Sequence, residues 1–267
     1  SPHVAHPFRF DRIGPDASSR CCFIIAGFSA VFGLACLVIL GALFNIASTL
    51  DQQERQRSAF HANQALEQRL LASRQFLSSY AVWDAAFEHL SGQADWQWAY
   101  EEKNIGESLY SASGYEGVFV VENDRTTYAL FKGQPSQAGA NTYIDTPLQP
   151  IIEQARAAAV SREQITHFVL FNGWPAALSA AAVRPDREVT DSEVSQAPVM
   201  LFIDQLTESK LAQLGNGAGL TGMHVEKEDM QDHSHLRIDL GNTGYHLTWN
   251  SPLPGRQMLR AVLPALV

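Results

Sequence analysis

An uninterrupted apolar stretch near the N-terminus constrains this chain more than any other feature. No charged residue occurs from Cys21 to Leu50, where the sequence reads "CCFIIAGFSAVFGLACLVILGALFNIASTL". A helix needs roughly 20 consecutive apolar residues to cross a bilayer. A cleaved signal peptide has a shorter apolar core and small residues before its cleavage site, whereas Asn45 stands at such a position here. A buried core helix is the other alternative. We predict a transmembrane helix over residues 21–47.

The charges that flank this span favour one orientation. Three arginines precede it: Arg9, Arg12 and Arg20. Basic residues after it are mixed with acidic ones: Asp51, Glu54, Arg55 and Arg57. Because basic residues favour the cytoplasmic side of a membrane, we expect a cytoplasmic tail over residues 1–20. The main domain, residues 48–255, is then expected on the opposite side.

The C-terminal segment "PLPGRQMLRAVLPALV" ends in a second apolar run after Arg260. This run is either a buried terminal helix or the first turns of another membrane span. We predict that residues 256–267 begin a second transmembrane helix and that the chain is a fragment of a longer protein.

Composition excludes some classes of function. The net charge is −9 and no basic stripe is present, so nucleic acid is excluded as a partner. All three cysteines, Cys21, Cys22 and Cys36, lie at or within the apolar stretch. The main domain therefore has no disulfide, and no motif in it indicates a cofactor.

The segment after the span is predicted to extend the same helix. Glycine is absent from Phe44 to Ser91 and proline from Phe44 to Gln134, so a helix is expected to continue to about Leu90. One face repeats at steps of three and four: Leu66, Leu70, Ser73, Leu77, Tyr80 and Asp84. This narrow seam either pairs with the same helix of a second copy or packs against its own domain.

The rest of the chain alternates between strands and helices. A short helix is expected from Trp96 to about Tyr110. Two hairpins turn at "ND" (123–124) and "NG" (172–173), and helices are predicted in "PLQPIIEQARAAAV" and "TESKLAQLGN", the second capped by Thr207 and ending near Gly215. "DREVTDSEVSQ" is expected to be a loop. A buried strand "APVMLFIDQL" and three C-terminal strands complete an α+β domain: an antiparallel sheet of the PAS or Cache type with helices on one face.

Several motifs resemble one family of sensory domains. They are "YAVWDAAFEHL", a downstream Trp96, "NIGESLY", the hairpin "GVFVVENDRTTYALF", the later strand and helix "APVMLFIDQLTESKLAQL" and the C-terminal segment "WNSPLPGRQMLRAVLPALV". Together they resemble the CHASE class of extracytoplasmic sensory domains, fourth type, over about Thr49 to Val267. The resemblance implies a bacterial receptor whose periplasmic domain lies between two inner-membrane spans. It also implies a cytoplasmic output, commonly a cyclic-di-GMP synthase or phosphodiesterase and less often a histidine kinase.

The segment from Ser78 to Glu107 holds the candidate ligand-binding residues. On a continuous helix, one face would carry Tyr80, Trp83, Asp84 and Phe87. Trp96 and Tyr100, four residues apart, would fold back towards that face. Such rings around one carboxylate suit a small-molecule pocket or a cationic ligand. They equally suit a core that fixes the helix to the sheet.

Two further polar residues are candidates for the same site. Asn104 either bonds a loop near the first hairpin or enters the pocket. Arg184 either clamps a carboxylate ligand or pairs with Asp186 or Glu188 at the surface.

Other chemistry has weaker signals. His224, His233 and His235 lie among acidic residues, and the His-x-His pair 233 and 235 would place two rings on one face of a strand, as zinc sites do. Neither a cysteine nor a clear third ligand accompanies this pair, so no metal is predicted. No hydrolase or nucleotide-binding motif occurs, and no catalytic residue is predicted. We expect a homodimeric, membrane-embedded input region that senses a small molecule or a periplasmic protein. The alternatives are an envelope scaffold that binds a periplasmic protein, and a hydrolase that brings Asp84, His89 and a further acid together.

Overall fold

A single helix, α1, runs from Asp16 to Ala81 in the computed structural model, which describes residues 16–228 and 236–265. Among these described residues, it is the one helix long and apolar enough to cross a membrane. Large apolar side chains on its first part are exposed, among them Phe28, Phe32 and Leu37. An exposed apolar surface of this size marks a site of contact with a membrane or another protein. The predicted continuation of the apolar helix beyond its span is confirmed.

The described residues form two compact units: residues up to Glu54 together with those from Pro252 onward, and Arg55–Ser251. In the first unit, helix α8 (Pro254–Val262) begins against α1. The Gly255 amide donates to Asp51 Oδ1 at 2.7 Å, and a Cβ atom added to Gly255 would lie 1.9 Å from the Ala47 carbonyl oxygen. A 3-10 turn follows at Leu263–Ala265. The second span stays a prediction, and its last two residues, 266 and 267, lie outside the described residues.

The second unit is built on a six-stranded antiparallel sheet. Its strands are β1 (Gly117–Glu122), β2 (Arg125–Phe131), β3 (Gln134–Pro135), β4 (Ile165–Phe171), β5 (Trp174–Ala182) and β6 (Val199–Gln205). Their order across the sheet is β3-β2-β1-β6-β5-β4. β1 and β2 form the first predicted hairpin, and β4 and β5 form the second.

Left-handed backbone conformations close both hairpins. Asn123 and Asp124 have φ values of 47° and 62°, and Asn172 and Gly173 have φ values of 51° and 73°. Asparagine, aspartate and glycine reach this conformation at the lowest steric cost, which explains why these pairs select two-residue turns. The hairpin predictions are confirmed.

Helices cover both faces of this sheet. Val118 and Val120 face a core that includes residues of α1 and of α2 (Asp84–Leu90). Phe119 and Val121 face a second core that includes residues of α5 (Gln149–Ala158), the predicted proline-initiated helix. The α+β class is confirmed. The detail that helices lie on one face is wrong, because consecutive β1 side chains are apolar and both sides of the strand must be buried.

The apolar seam of α1 packs against its own domain. Its buried positions in the second unit follow the helical period: Ser58, Ala62, Leu66, Leu70, Ser73, Leu77 and Ala81. Leu77 belongs to the core on one face of the large sheet, whereas Leu66 and Leu70 belong to a third core beside a smaller sheet. Of the two alternatives given for the seam, packing against its own domain is therefore the one observed. Dimerisation stays a prediction.

The smaller sheet has three antiparallel strands, β7 (Thr221–Lys227), β8 (Leu236–Asp239) and β9 (Tyr245–Asn250), in the order β7-β9-β8. Helix α7 (Glu208–Ala218) precedes it. The Thr207 hydroxyl accepts from the Lys210 amide, which confirms the predicted cap. The helix passes the expected end near Gly215 and stops at Gly219, whose φ of 70° suits glycine.

Other short elements differ from the sequence expectations. The expected helix over 96–110 is a π-helical turn (Gln97–Glu101) followed by a separate short helix, α3 (Ser108–Ser111). A short helix, α4 (Ala140–Tyr143), was not predicted. The expected loop after β5 contains α6 (Asp191–Val194), which a capping box formed by Thr190 and Glu193 stabilises.

Candidate functional site

The first feature of the candidate site is the point where α1 ends. The sequence predicted a helix to Leu90, but α1 ends at Ala81 and Trp83 has an extended backbone, with φ −157° and ψ 129°. The Trp83 amide donates to the Arg184 carbonyl at 3.1 Å, and the Arg184 amide donates to the Ala81 carbonyl at 3.0 Å. These bonds satisfy backbone groups that a continuing helix would have paired internally. The prediction of one continuous helical face is therefore wrong.

The predicted site residues are divided by this break. Tyr80 belongs to α1 and Phe87 to α2, and both are half-buried against the same core. The Tyr80 ring centroid lies 5.7 Å from that of Phe202 on β6. Burial raises the pKa of the Tyr80 hydroxyl. These two rings attach both sides of the break to the sheet.

Two tryptophans of the segment remain partly accessible. Trp83 is 39% exposed and Trp96 is 38% exposed. The Trp83 ring centroid lies 5.3 Å from that of buried Trp98, and the Trp96 centroid lies 4.4 Å from that of Tyr128. Each exposed indole therefore covers a buried ring while keeping part of its surface open to solvent.

The polar residues between these rings bond to the backbone. Asp84 Oδ1 accepts from the Asp186 amide at 2.9 Å, and Asn104 Nδ2 donates to the Trp98 carbonyl at 2.8 Å. Asn104 thus bonds the π-helical turn that contains Trp98, not a loop of the first hairpin. Both side chains hold connecting segments in place next to the aromatic rings.

Arg184 lies inside the protein, with only 2% of its surface exposed. Its Nη1 donates to the Pro185 carbonyl at 3.2 Å and to the Arg187 carbonyl at 2.8 Å. Nη2 is buried without a hydrogen-bond partner in the described part of the chain. Burial, followed by the charge of a neighbouring arginine, lowers the pKa of the guanidinium. The predicted surface ion pair with Asp186 or Glu188 is wrong, because the guanidinium is buried and donates to backbone carbonyl groups instead.

Tyr100, one of the predicted site residues, lines a cavity. This cavity has a volume of about 370 Å³. Its other lining residues are Glu101, Lys103, Glu107, Ser108 and Ser111. The π-helical turn places Tyr100 at its wall, a geometry that recurs at functional sites.

The histidines make local contacts. His89 Nδ1 lies 3.0 Å from Asp95 Oδ2, and its ring stacks 4.6 Å from the Trp98 ring. His89 therefore pairs with Asp95, whereas Asp84 bonds the Asp186 amide. His224 Nδ1 lies 2.8 Å from the Gly222 carbonyl oxygen. His233 and His235 lie outside the described residues, and within residues 16–228 and 236–265 no three potential ligands cluster closely enough to hold a metal ion.

The structure also reveals a buried charge network that the sequence reasoning missed. Arg69 on α1 binds Asp204 on β6 through two bonds, Nε to Oδ2 at 2.6 Å and Nη2 to Oδ1 at 2.8 Å. Lys210 Nζ on α7 lies 2.7 Å from Asp204 Oδ1 and 2.8 Å from both Glu116 oxygens. Two cations thus balance two buried carboxylates, as burial of charge requires.

This network joins three elements of the domain. Burial alone would lower the pKa of Arg69, but its hydrogen bond to Asp204 and the charge of that carboxylate outweigh burial and raise it. One turn later on α1, the Ser73 and Ser179 hydroxyl oxygens lie 2.9 Å apart in the interior. The sequence did contain one indication of this network, which is the acidic residue Asp204 inside the apolar strand "MLFIDQL". A buried carboxylate needs a cationic partner.

Comparison with known families adds the deciding observation. The profile of the CHASE4 domain matches residues 65–226, more than half of the chain. The chain belongs to the CHASE4 family. CHASE4 is an extracytoplasmic sensory domain type and is not catalytic. The match begins within α1 and ends within β7, so the break and the buried charge network both lie inside the CHASE4 domain. A comparison with curated proteins found no match.

Proposed function

We propose that this chain is the periplasmic ligand-sensing input region of a receptor in a bacterial inner membrane. The observation that carries the proposal is one continuous helix, α1. Its first part is apolar enough to span a membrane, and its second part enters the CHASE4 domain. A ligand that changes how the domain holds α1 would thereby act on the membrane segment.

The proposed signal is a small movement of α1 relative to the large sheet. Buried polar contacts hold this helix at Arg69 and Ser73, and its end is fixed by the backbone pairing with Arg184. Polar contacts of this kind have discrete geometries, so they suit a two-position element better than a continuous apolar surface does. The proposed output is a cytoplasmic cyclic-di-GMP synthase or phosphodiesterase, as the family resemblance implies.

Ligand contact near the break stays part of the proposal. Trp83 and Trp96 keep accessible indole surface, Tyr100 lines a cavity, and Arg184 carries a buried nitrogen without a partner in the described residues. Aromatic surface beside a few polar groups suits a small organic ligand.

A homodimer through α1 is also proposed. The seam is occupied within the domain, so a second copy would contact the outward face, where Phe60 is 64% exposed and Leu71 is 46% exposed. Cysteine substituted for Leu71 should give a homodimeric crosslink in membranes. A product that contains a different periplasmic protein would favour the scaffold alternative.

A disulfide lock tests the signalling proposal. The Ser73 and Ser179 hydroxyl oxygens lie 2.9 Å apart, so cysteines at these two positions would bring their sulfur atoms close to each other. In the receptor expressed from its natural reading frame, the bridged double variant should hold cellular cyclic-di-GMP at a fixed level, and reduction should release it. The Ser73→Cys and Ser179→Cys single variants serve as controls. Equal cyclic-di-GMP in all variants, with the bridge shown to have formed, would contradict the proposed movement.

A further inference from the structure

A groove between α1 and α7 is separate from the aromatic segment. Its volume is about 870 Å³, within the usual range for small-molecule sites. One face of α1 supplies most of its wall: Arg57, His61, Gln64, Ala65, Gln68, Arg69 and Ala72. These positions recur with the helical period, so one stripe of α1 lines the groove along its length.

Acidic side chains are absent from the described lining of the groove, although the chain is acidic overall. The chain has a net charge of −9, yet no aspartate or glutamate lines the groove. Arg57, His61 and Arg69 do line it, together with the amide groups of Gln64 and Gln68. Guanidinium groups with amide donors form the pattern that binds carboxylate or phosphate.

Glycines keep the opposite wall open. Gly217 and Gly219 line the groove from the C-terminal end of α7, and a Cβ atom added at either position would meet no atom within 4 Å. Gly217 lies in the last turn of α7, next to its final residue Ala218. The missing side chain therefore provides room in the groove.

We propose that this groove binds a small organic anion through a carboxylate or phosphate group. Arg57 and His61 would contact the anion together with the edge of Arg69 that is not used by Asp204. Arg69 makes the site informative, because its Nε and Nη2 belong to the buried charge network while its side chain also lines the groove. Anion binding can be measured without any signalling assay. The inference rests on the proposed sensing function only where binding is taken to be the signal that the receptor senses.

Calorimetric titration of the full chain in zwitterionic detergent tests the proposal. Sodium phosphate and sodium citrate are the probes, each titrated at constant ionic strength. We expect saturable binding of at least one probe. Arg57→Gln removes one charge-assisted contact and should weaken binding roughly tenfold or more. Gly217→Met should abolish binding by filling the groove while favouring the helix.

Arg55→Gln is the matched control. Arg55 lies on the same helix and is exposed, but it does not line the groove. Its substitution removes the same charge and should leave affinity unchanged. An equal loss of affinity in Arg55→Gln would overturn the proposal, because nonspecific attraction would then explain binding.

The anionic group can belong to a soluble compound or to a lipid headgroup, and a second arm distinguishes these sources. The chain is placed in phosphatidylcholine nanodiscs with and without phosphatidylglycerol. A headgroup in the groove should raise the unfolding temperature of the unsubstituted chain but not that of Gly217→Met. A groove-dependent response in neither arm overturns the proposal. That result would leave the disulfide-lock test of signalling intact, and a failed lock would leave anion binding intact.

Discussion

Removal of the Lys210 ammonium group should destabilise the second unit strongly. Lys210 Nζ contacts both oxygens of Glu116, Asp204 Oδ1 and, at 2.6 Å, the Gly114 carbonyl. Lys210→Met keeps the aliphatic stem but leaves an unbalanced negative charge among buried groups. Removing one partner of a buried ion pair costs roughly 3–5 kcal/mol. Since 15% of the Lys210 side chain is exposed, we expect the lower end, about 3 kcal/mol.

The unfolding temperature provides the assay. Each kcal/mol shifts the midpoint by about 2–4 °C in a unit of this size, so Lys210→Met should lower it by roughly 6–12 °C. Tryptophan fluorescence of the full chain in detergent reports on the correct unit, because all five tryptophans lie between Trp83 and Trp249. Lys103→Met is the control at an exposed position and should shift the midpoint little.

A double variant separates charge balance from general damage. Glu116→Gln combined with Lys210→Met removes one charge of each sign and should recover part of the loss. The reasoning is refuted if Lys210→Met unfolds at the same temperature as the unsubstituted chain. It is also refuted if the double variant shows the simple sum of the two single losses.

Three further predictions concern separate regions. The Glu193 carboxylate accepts from Arg187 and from the capping groups of α6, which lower its pKa from 4.5 to about 2. Its contribution to stability is therefore present above pH 4.5 and lost as the pH falls towards about 2. Carbon-13 NMR should detect this pKa and show that Arg187→Gln raises it, whereas titration of the unsubstituted chain near 4.5 would contradict the prediction. Gly255→Val should separate α8 from α1, because even a Cβ atom would overlap the Ala47 carbonyl, and protease sensitivity of α8 should rise. Trp98→Ala empties a buried aromatic position and should cost roughly 3–5 kcal/mol, measured by thermal unfolding.

Much of the sheet could be predicted because local residues specify it. The pairs Asn123–Asp124 and Asn172–Gly173 carry the backbone preferences that two-residue hairpins need. Thr207 caps its helix by accepting from the amide of Lys210, only three positions later in the sequence. Turns and caps of this kind depend only on residues that are close in sequence, so they can be predicted from the sequence alone.

The end of α1 could not be predicted in the same way. No glycine or proline marks Ala81, and Arg184, which pairs with this backbone, lies about a hundred residues later. Assignment of Trp83 and Asp84 to one face with Tyr80 failed for that reason. Asp204 within an apolar strand indicated that a buried charge would need a cationic partner. The sequence could not identify Arg69 and Lys210 as the partners of Asp204, because tertiary packing brings them together.

Cysteine labelling in cells tests the central claim most directly: that the CHASE4 domain lies outside the cytoplasm and is anchored by α1. Glu153 on α5 is exposed, and the natural cysteines are confined to the apolar stretch of the chain. In a background with serine at Cys21, Cys22 and Cys36, Glu153→Cys provides a single reactive thiol in the domain. The account predicts that a membrane-impermeant maleimide labels it in intact spheroplasts. Labelling only after lysis, or recovery of the labelled domain free of the membrane, would contradict the account.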